Sequence, residues 1–264
     1  VSRRYKYYLV THHFNLEKKN SCMNNVLVII PTYNESENIQ QLLIRLDVAR
    51  SNFSKEYKLD FLIIDDNSPD GTAQIAKSVT IEGLKLLIRA KKVGLGPAYL
   101  AGFKQGLTGN YDYFVEMDAD LSHQPEQLID LLHAANEKSL VIGTRWMPGG
   151  SVINWPARRR LISRFGTWYA SFILKMPYQD LTSGFRVLPR ELLEQINFNE
   201  IKTRGYGFQI EMAYKAIESG FEIKQVPITF VERVNGYSKM SFLIILEALI
   251  TVNKYGFKRI FVRR

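Results

Sequence analysis

Asp118 and Asp120, separated by one alanine and placed directly after the apolar run 113–117, are the residues whose types and spacing speak most directly to chemistry. On an extended segment, side chains two apart point the same way, while Ala119 turns to the opposite face. Two hard oxygen donors on one edge suit Mg²⁺ or Mn²⁺, ions that complete their shells with water and substrate phosphates. A short Asp-x-Asp is equally the composition of a solvated acidic loop, so the tripeptide alone leaves both readings open.

Other polar clusters stand at comparable places. The run 26–30 leads into Pro31-Thr32-Tyr33-Asn34-Glu35, and the run 61–64 into Asp65-Asp66-Asn67-Ser68-Pro69-Asp70-Gly71-Thr72. Each has a local explanation: Asn34 and Glu35 as a helix start, Ser68 to Gly71 as a turn. Three polar loops at strand ends are harder to dismiss, because ligands of open α/β sheets bind beyond the carboxyl ends of the strands.

The elements that must position these loops are legible as alternation. Strand-length apolar runs at 26–30, 61–64, 84–88, 113–117 and 140–142 alternate with helical patterns, which predicts an α/β fold with a mainly parallel central sheet flanked by helices. Ile39, Leu42, Leu43 and Leu46 form the core-facing stripe of the first helix, and Pro97 and Pro125 suit the first turns of later ones. After Gly149-Gly150 the pattern predicts helices over about 157–175 and 207–219 and a strand-like stretch over 221–232.

The 264 residues suffice for one large domain with appendages. Thirty-five Lys and Arg against 26 Asp and Glu give a net charge of +9, which favours an anionic partner without choosing among nucleotide, phospholipid headgroup and nucleic acid. Cys22 is the only cysteine, so no intramolecular disulfide forms and a reducing, cytoplasmic compartment is expected. No apolar run approaches the roughly 20 residues needed to span a bilayer. Residues 1–25, with Arg3, Arg4, Lys6, Lys18 and Lys19, lack the apolar core of a signal peptide. They read as an appendage in which His12 and His13 are tail residues. The expected division is 1–25 appendage, 26–240 catalytic domain, and 241–264 an amphipathic interfacial helix with a basic tail.

Over about 26–242 the sequence resembles the inverting nucleotide-sugar glycosyltransferases of the cellulose-synthase and polyprenyl-phosphate family. The blocks 65–72, 94–96, 117–123, 143–145 and 180–186 are similar to its dolichol-phosphate mannosyltransferase branch. The resemblance implies a Rossmann-like, GT-A type fold, and GDP-mannose as the favoured donor. It implies that Pro31, Tyr33 and Glu35 enclose base and ribose, that Ile64 and Asp66 lie at the base edge, and that Asp118, Ala119 and Asp120 meet the donor diphosphate through Mg²⁺ or Mn²⁺. Arg233 and Lys239, on a loop that closes over the donor in the family, would add cationic contacts.

The acceptor follows from a contrast. A hydroxyl nucleophile needs a general base, and family members acting on alcohols carry one before a Gln-x-x-Arg-Trp motif that is absent here. A phosphomonoester, with a second pKa of about 6, is already ionised and needs cationic holding instead. Arg145, Arg158, Arg159, Arg160, Ser163 and Arg164 offer it. By the family pattern Arg145, Arg159 and Ser163 hold the acceptor phosphate, while Asp180 has a structural role. Around Trp155, Phe165, Trp168, Tyr169 and Phe172 the aromatic-basic helix is compatible with docking on the cytoplasmic face of a membrane, although core packing is expected for most of these rings. Many relatives continue into transmembrane helices from about the final apolar run 242–252. The sequence therefore leaves open a form without them, a piece of a longer protein, and a partner protein that supplies the anchor.

The rival readings are weaker. A dehydrogenase needs Gly-x-Gly-x-x-Gly after the first strand, and a pyrophosphorylase a glycine-rich basic loop there; neither is present. A nucleic-acid binder accounts for the charge but not the convergent acids. The same scaffold using UDP-glucose or another donor, or a carbohydrate hydroxyl as acceptor, stays as the alternative.

Overall fold

A computed structural model describes residues 23–52, 55–233 and 242–261, with backbone alone at Tyr206, 242–245 and 259–261. Lys239 lies outside the described residues, as do Cys22, His12 and His13. The elements run β1 (Asn24–Thr32), α1 (Ile39–Ser51), β2 (Tyr57–Asp65), α2 (Thr72–Ser78), β3 (Leu84–Ile88), α3 (Leu95–Leu107), β4 (Tyr113–Glu116), α4 (Leu128–Ala134), β5 (Ser139–Thr144), β6 (Ser151–Ile153), α5 (Ala157–Leu174), β7 (Arg186–Pro189), α6 (Arg190–Gln195), α7 (Tyr206–Glu218), β8 (Glu222–Pro227), β9 (Thr229–Val231) and α8 (Phe242–Phe261).

Seven strands form one sheet in the order β3-β2-β1-β4-β7-β5-β8. The neighbours β3-β2, β2-β1, β1-β4 and β5-β8 are parallel, as the alternation predicts. Strand β7 is the exception, antiparallel to both β4 and β5. It is four residues long, opens on an arginine and closes on a proline, so it carries no apolar run to read, yet all four residues are buried. The single stretch expected over 221–232 divides after Pro227: β8 stays in the main sheet, and β9 pairs with β6 in a separate two-stranded sheet. Proline cannot donate to a ladder, which marks the break.

Strand β1 is buried on both faces, as a central parallel strand must be. Leu27 and Ile29 join the core beneath α3, α5 and α7, while Val26, Val28 and Ile30 join the one beneath α1 and α4. The α1 stripe Ile39, Leu42, Leu43 and Leu46 fills the second. Helix α3 sits close to the sheet through Gly102, where an added Cβ would lie 2.6 Å from Ile29 Cγ2. Gly102→Ala is therefore expected to lower stability by about 1–3 kcal/mol, as overpacking does. Urea titration of the purified variant checks this, and an unchanged midpoint would refute it.

Helix α5 departs from the expectation of core packing for three of its rings. On α5, Phe165, Trp168 and Phe172 are 61, 57 and 66% exposed; their spacing makes one stripe, and it faces outward. Helix α8 buries Val252 and Tyr255 but exposes Ile250 and Phe257, and its Glu247 accepts from the backbone N–H groups of Arg204 and Gly205 at the start of α7. A carboxylate there satisfies otherwise orphaned donors and favours the helix dipole. Among the described residues no helix is long and apolar enough to cross a membrane.

Candidate active site

Strand β4 delivers Asp118 and Asp120 to the carboxyl edge of the sheet, and a tight turn holds them there. Leu121 takes a φ of 62°, an uncommon conformation for a side-chain-bearing residue. The Ser122 N–H donates to Asp120 Oδ1 at 3.1 Å, and the Asp118 N–H donates to His123 Nδ1 at 3.1 Å. Accepting at Nδ1 leaves the His123 Nε2 side toward Asp118 Oδ2, 3.8 Å away. Burial lowers the His123 pKa to about 4, so the imidazole is neutral at pH 7.

The electrostatics of the pair are those of a cation site. Asp118 keeps 32% of its side-chain surface open to the cleft, but dense surroundings and then the facing Asp120 push its pKa up to about 7, with Glu35 adding to the repulsion. Arg233 answers it most directly, with Nη2 2.8 Å from Asp120 Oδ2, and Arg145 adds a smaller attraction to Asp118. Among the described residues no three carboxylates, histidines or thiols gather into a self-sufficient metal cluster. Two acidic oxygens' worth of charge, short of counterions, fits a hard divalent ion that takes its remaining ligands from water and phosphate.

The first two loops lie beside this pair. Asp65 is consumed in holding them together, accepting from Thr32 Oγ1 at 2.8 Å, Ser68 Oγ at 2.6 Å and the Ser68 N–H at 2.8 Å. Glu35 is buried and accepts from Asn38 Nδ2 at 2.9 Å. Asp66 faces Arg89 at 2.9 Å, and burial nevertheless raises its pKa. Lys92 Nζ sits 4.1 Å over the Tyr33 ring and covers one of its faces. Pro31 stands in register opposite Ile64 across β1 and β2. The Ile64 and Ala119 side chains, 0 and 4% exposed, pack into the core, so only their backbone is available to a ligand in this conformation.

The cationic half is built from three later segments. Arg145 forms a fork with Asp180, Nε to Oδ2 and Nη2 to Oδ1 both at 2.7 Å, and donates to Thr182 Oγ1 at 3.2 Å. Asp180 is wholly buried. Arg159 packs 4.0 Å over Trp155 and pairs with Glu232. A cavity of about 180 Å³ brings Arg145, Arg159, Ser163 and Arg233 together with Asp118, and is lined further by apolar residues of α5, α7 and α8, among them Ile162, Tyr169, Ile210, Leu249 and Val252. Beneath it lies a buried ion pair that motif reading did not single out. Arg186 donates at 2.7 Å to the carbonyls of Leu181, Ser183 and Gln209, with Nε 4.0 Å from Glu116. Its signal in the sequence is a lone charge opening a short buried strand.

The model of glycosyl transferase family 2 matches residues 27–196. The chain belongs to that family. This glycosyltransferase is 46% identical over 233 residues to undecaprenyl-phosphate mannosyltransferase of Micrococcus luteus, covering 88% of this chain and 93% of that protein. It is 43% identical over 236 residues to polyprenol monophosphomannose synthase of Mycolicibacterium smegmatis, covering 88% and 87%. Its fold is also that of glucosyl-3-phosphoglycerate synthase from Mycobacterium tuberculosis, crystallised with Mn²⁺, UDP and glucosyl-3-phosphoglycerate, at a TM-score of 0.63, 17% identity and coverage of 88% and 80%. The GT-A type fold expected from the sequence is thus the fold of the glycosyltransferase. The family match holds the acidic loops, Arg145, Arg159 and Ser163, and ends before Gln209 and Arg233.

Proposed function

We propose that this glycosyltransferase moves a hexose, mannose from GDP-mannose, onto a polyprenyl phosphate with inversion at the anomeric carbon. The observation that carries the reading is one cavity in which Asp118 shares a wall with Arg145, Arg159 and Ser163 and with the apolar sides of α5 and α8. It suits a phosphate on an apolar tail beside an activated sugar. The two bacterial relatives, a polyprenyl-phosphate mannosyltransferase and a polyprenol monophosphomannose synthase, support the acceptor and sugar. The Mn²⁺ in the structurally similar synthase supports the metal.

In this reading Asp118 and Asp120 hold Mg²⁺ or Mn²⁺. Bound there, the ion offsets charge on the departing diphosphate. Arg233 and Lys239 add cationic contacts to the diphosphate, and Pro31, Tyr33, Glu35 and Asp66 surround the nucleoside. Binding a base against the covered face of Tyr33 then requires Lys92 to move from the ring. Arg145, held rigid by Asp180, works with Arg159 and Ser163 to fix the acceptor phosphate. One of its oxygens bonds to the anomeric carbon as the bond to the diphosphate oxygen breaks, and GDP leaves. No base is needed, and Asp180 is already committed to Arg145. The exposed Phe165, Trp168 and Phe172 with Arg158, Arg160 and Arg164 on α5, and Ile250 and Phe257 on α8, form the face that meets a membrane surface. Residues 26–240 form the catalytic unit in this scheme and 241–264 its interfacial helix.

The test is incubation with polyprenyl phosphate and separately labelled GDP-mannose, UDP-glucose and UDP-N-acetylglucosamine, with and without added metal. Metal-dependent label in lipid from GDP-mannose is the expected result. Label reaching only a carbohydrate hydroxyl overturns the acceptor assignment.

Glu232 gives a second check, because its carboxylate occupies Arg159 as an acceptor phosphate would. Glu232→Gln is expected to lower the acceptor KM about two- to fivefold, the scale of a partly exposed ion pair, at unchanged donor KM. Titration of polyprenyl phosphate at saturating donor measures it; a raised acceptor KM would contradict the competition.

A further inference from the structure

We infer that Gln209 recognises a ring hydroxyl of the sugar being transferred. This rests on the donor and acceptor placement proposed above and adds to it a residue outside the family match. Gln209 stands in the first turn of α7, and its carbonyl is fixed by Arg186 Nη1 at 2.7 Å. Its side chain is 1% exposed, and neither amide atom completes a hydrogen bond among the described residues. A buried polar group left this way is costly, and native proteins rarely keep one without a partner.

Gln209 lines the cavity that Asp118 also lines. A Cβ placed on Gly184 would lie 3.5 Å from Asp118 Oδ1, 3.7 Å from Gln209 Nε2 and 3.7 Å from His123 Cε1. Gly184 therefore keeps clear a small volume onto which carboxylate and amide both look. The competing use of Gln209 is a contact of its amide with the Glu116 carboxylate. Burial raises that pKa to about 7, and Arg186 and the amide hold it down, although the contact falls short of full hydrogen-bond geometry at either group.

In-line displacement requires the anomeric carbon to lie between the departing diphosphate oxygen and the attacking phosphate oxygen. The hexose must then occupy the space between Asp118 and the group formed by Arg145, Arg159 and Ser163, and Gln209 lines that space. A primary amide presents two donors and an acceptor, which matches a hydroxyl that both gives and takes a hydrogen bond. Sites built to bond a substrate hydroxyl reject analogues that lack it.

The experiment is a cycle between residue and substrate: kcat/KM for GDP-mannose and its 2-, 3-, 4- and 6-deoxy analogues, in the wild type and in Gln209→Met, with polyprenyl phosphate as acceptor. One deoxy donor is expected to be about tenfold or more slower in the wild type. In Gln209→Met that penalty shrinks to about twofold or less while the other penalties persist. Equal penalties in both proteins, or no penalty at any position in the wild type, overturn the inference. If Gln209→Met does not fold, Gln209→Asn supplies the same comparison. Absence of mannosyl lipid from the wild type would instead sink the proposed function, and the deoxy series of the sugar nucleotide the enzyme does use would then decide Gln209.

Discussion

Asp118→Asn is expected to transfer sugar at least about 100-fold more slowly than the wild type, since changes one shell further from a metal already cost about 10–100-fold. The substitution keeps volume and removes the charge that a cation site needs. It also removes a carboxylate crowded by Asp120 and Glu35 and pushed up to about 7, so the variant is expected to unfold at no lower temperature than the wild type. Loss of activity without loss of stability is the pattern of a strained functional site. Initial rates across a Mn²⁺ titration, beside a thermal melt, measure both halves. Wild-type rates at ordinary metal concentrations would remove Asp118 from the cation site.

The second large effect is on stability. Arg186→Met is expected to cost about 3–5 kcal/mol, the usual result of breaking one side of a buried ion pair. Arg186 is 0% exposed and gives hydrogen bonds to three carbonyls besides facing Glu116. Desolvation draws its pKa down to about 10, which leaves it charged at neutral pH. Glu116→Gln alone costs less, because a carboxyl already raised to about 7 loses little on becoming an amide. Denaturant unfolding of the two single variants and the double variant gives the coupling, and additive effects would mean that Arg186 serves the carbonyls and not Glu116.

The acidic half of the site was legible because each loop follows a run whose periodicity announces a strand. The run of β4 announces where Asp118 and Asp120 follow, although they lie in a bend beyond Glu116 and not on an extended segment, and the α1 stripe is legible from its repeat. The rest depends on contacts between distant segments. Arg186 closes the block 180–186 with no local cue to its burial, which carbonyls from the preceding loop and from α7, together with Glu116, make tolerable. Gln209 sits inside an ordinary amphipathic helix and carries no compositional cue. Phe165, Trp168 and Phe172 have a visible spacing, but spacing does not say which side of α5 meets the core. Tyr33 offered a stacking face in sequence, and nothing local foretold that Lys92 would cover it.

Strand β7 has a consequence for how the chain can be cut. It lies between β4 and β5, pairing with both, although it follows them by more than forty residues of sequence. A fragment ending before Arg186 would retain every acidic loop, yet leave β4 and β5 with bare facing edges in the middle of the sheet. Open edges of that kind invite pairing with other chains. The catalytic edge therefore closes late during synthesis, when the segment carrying β7 joins strands made long before, and shortened versions of this protein are expected to aggregate even though their motifs are intact.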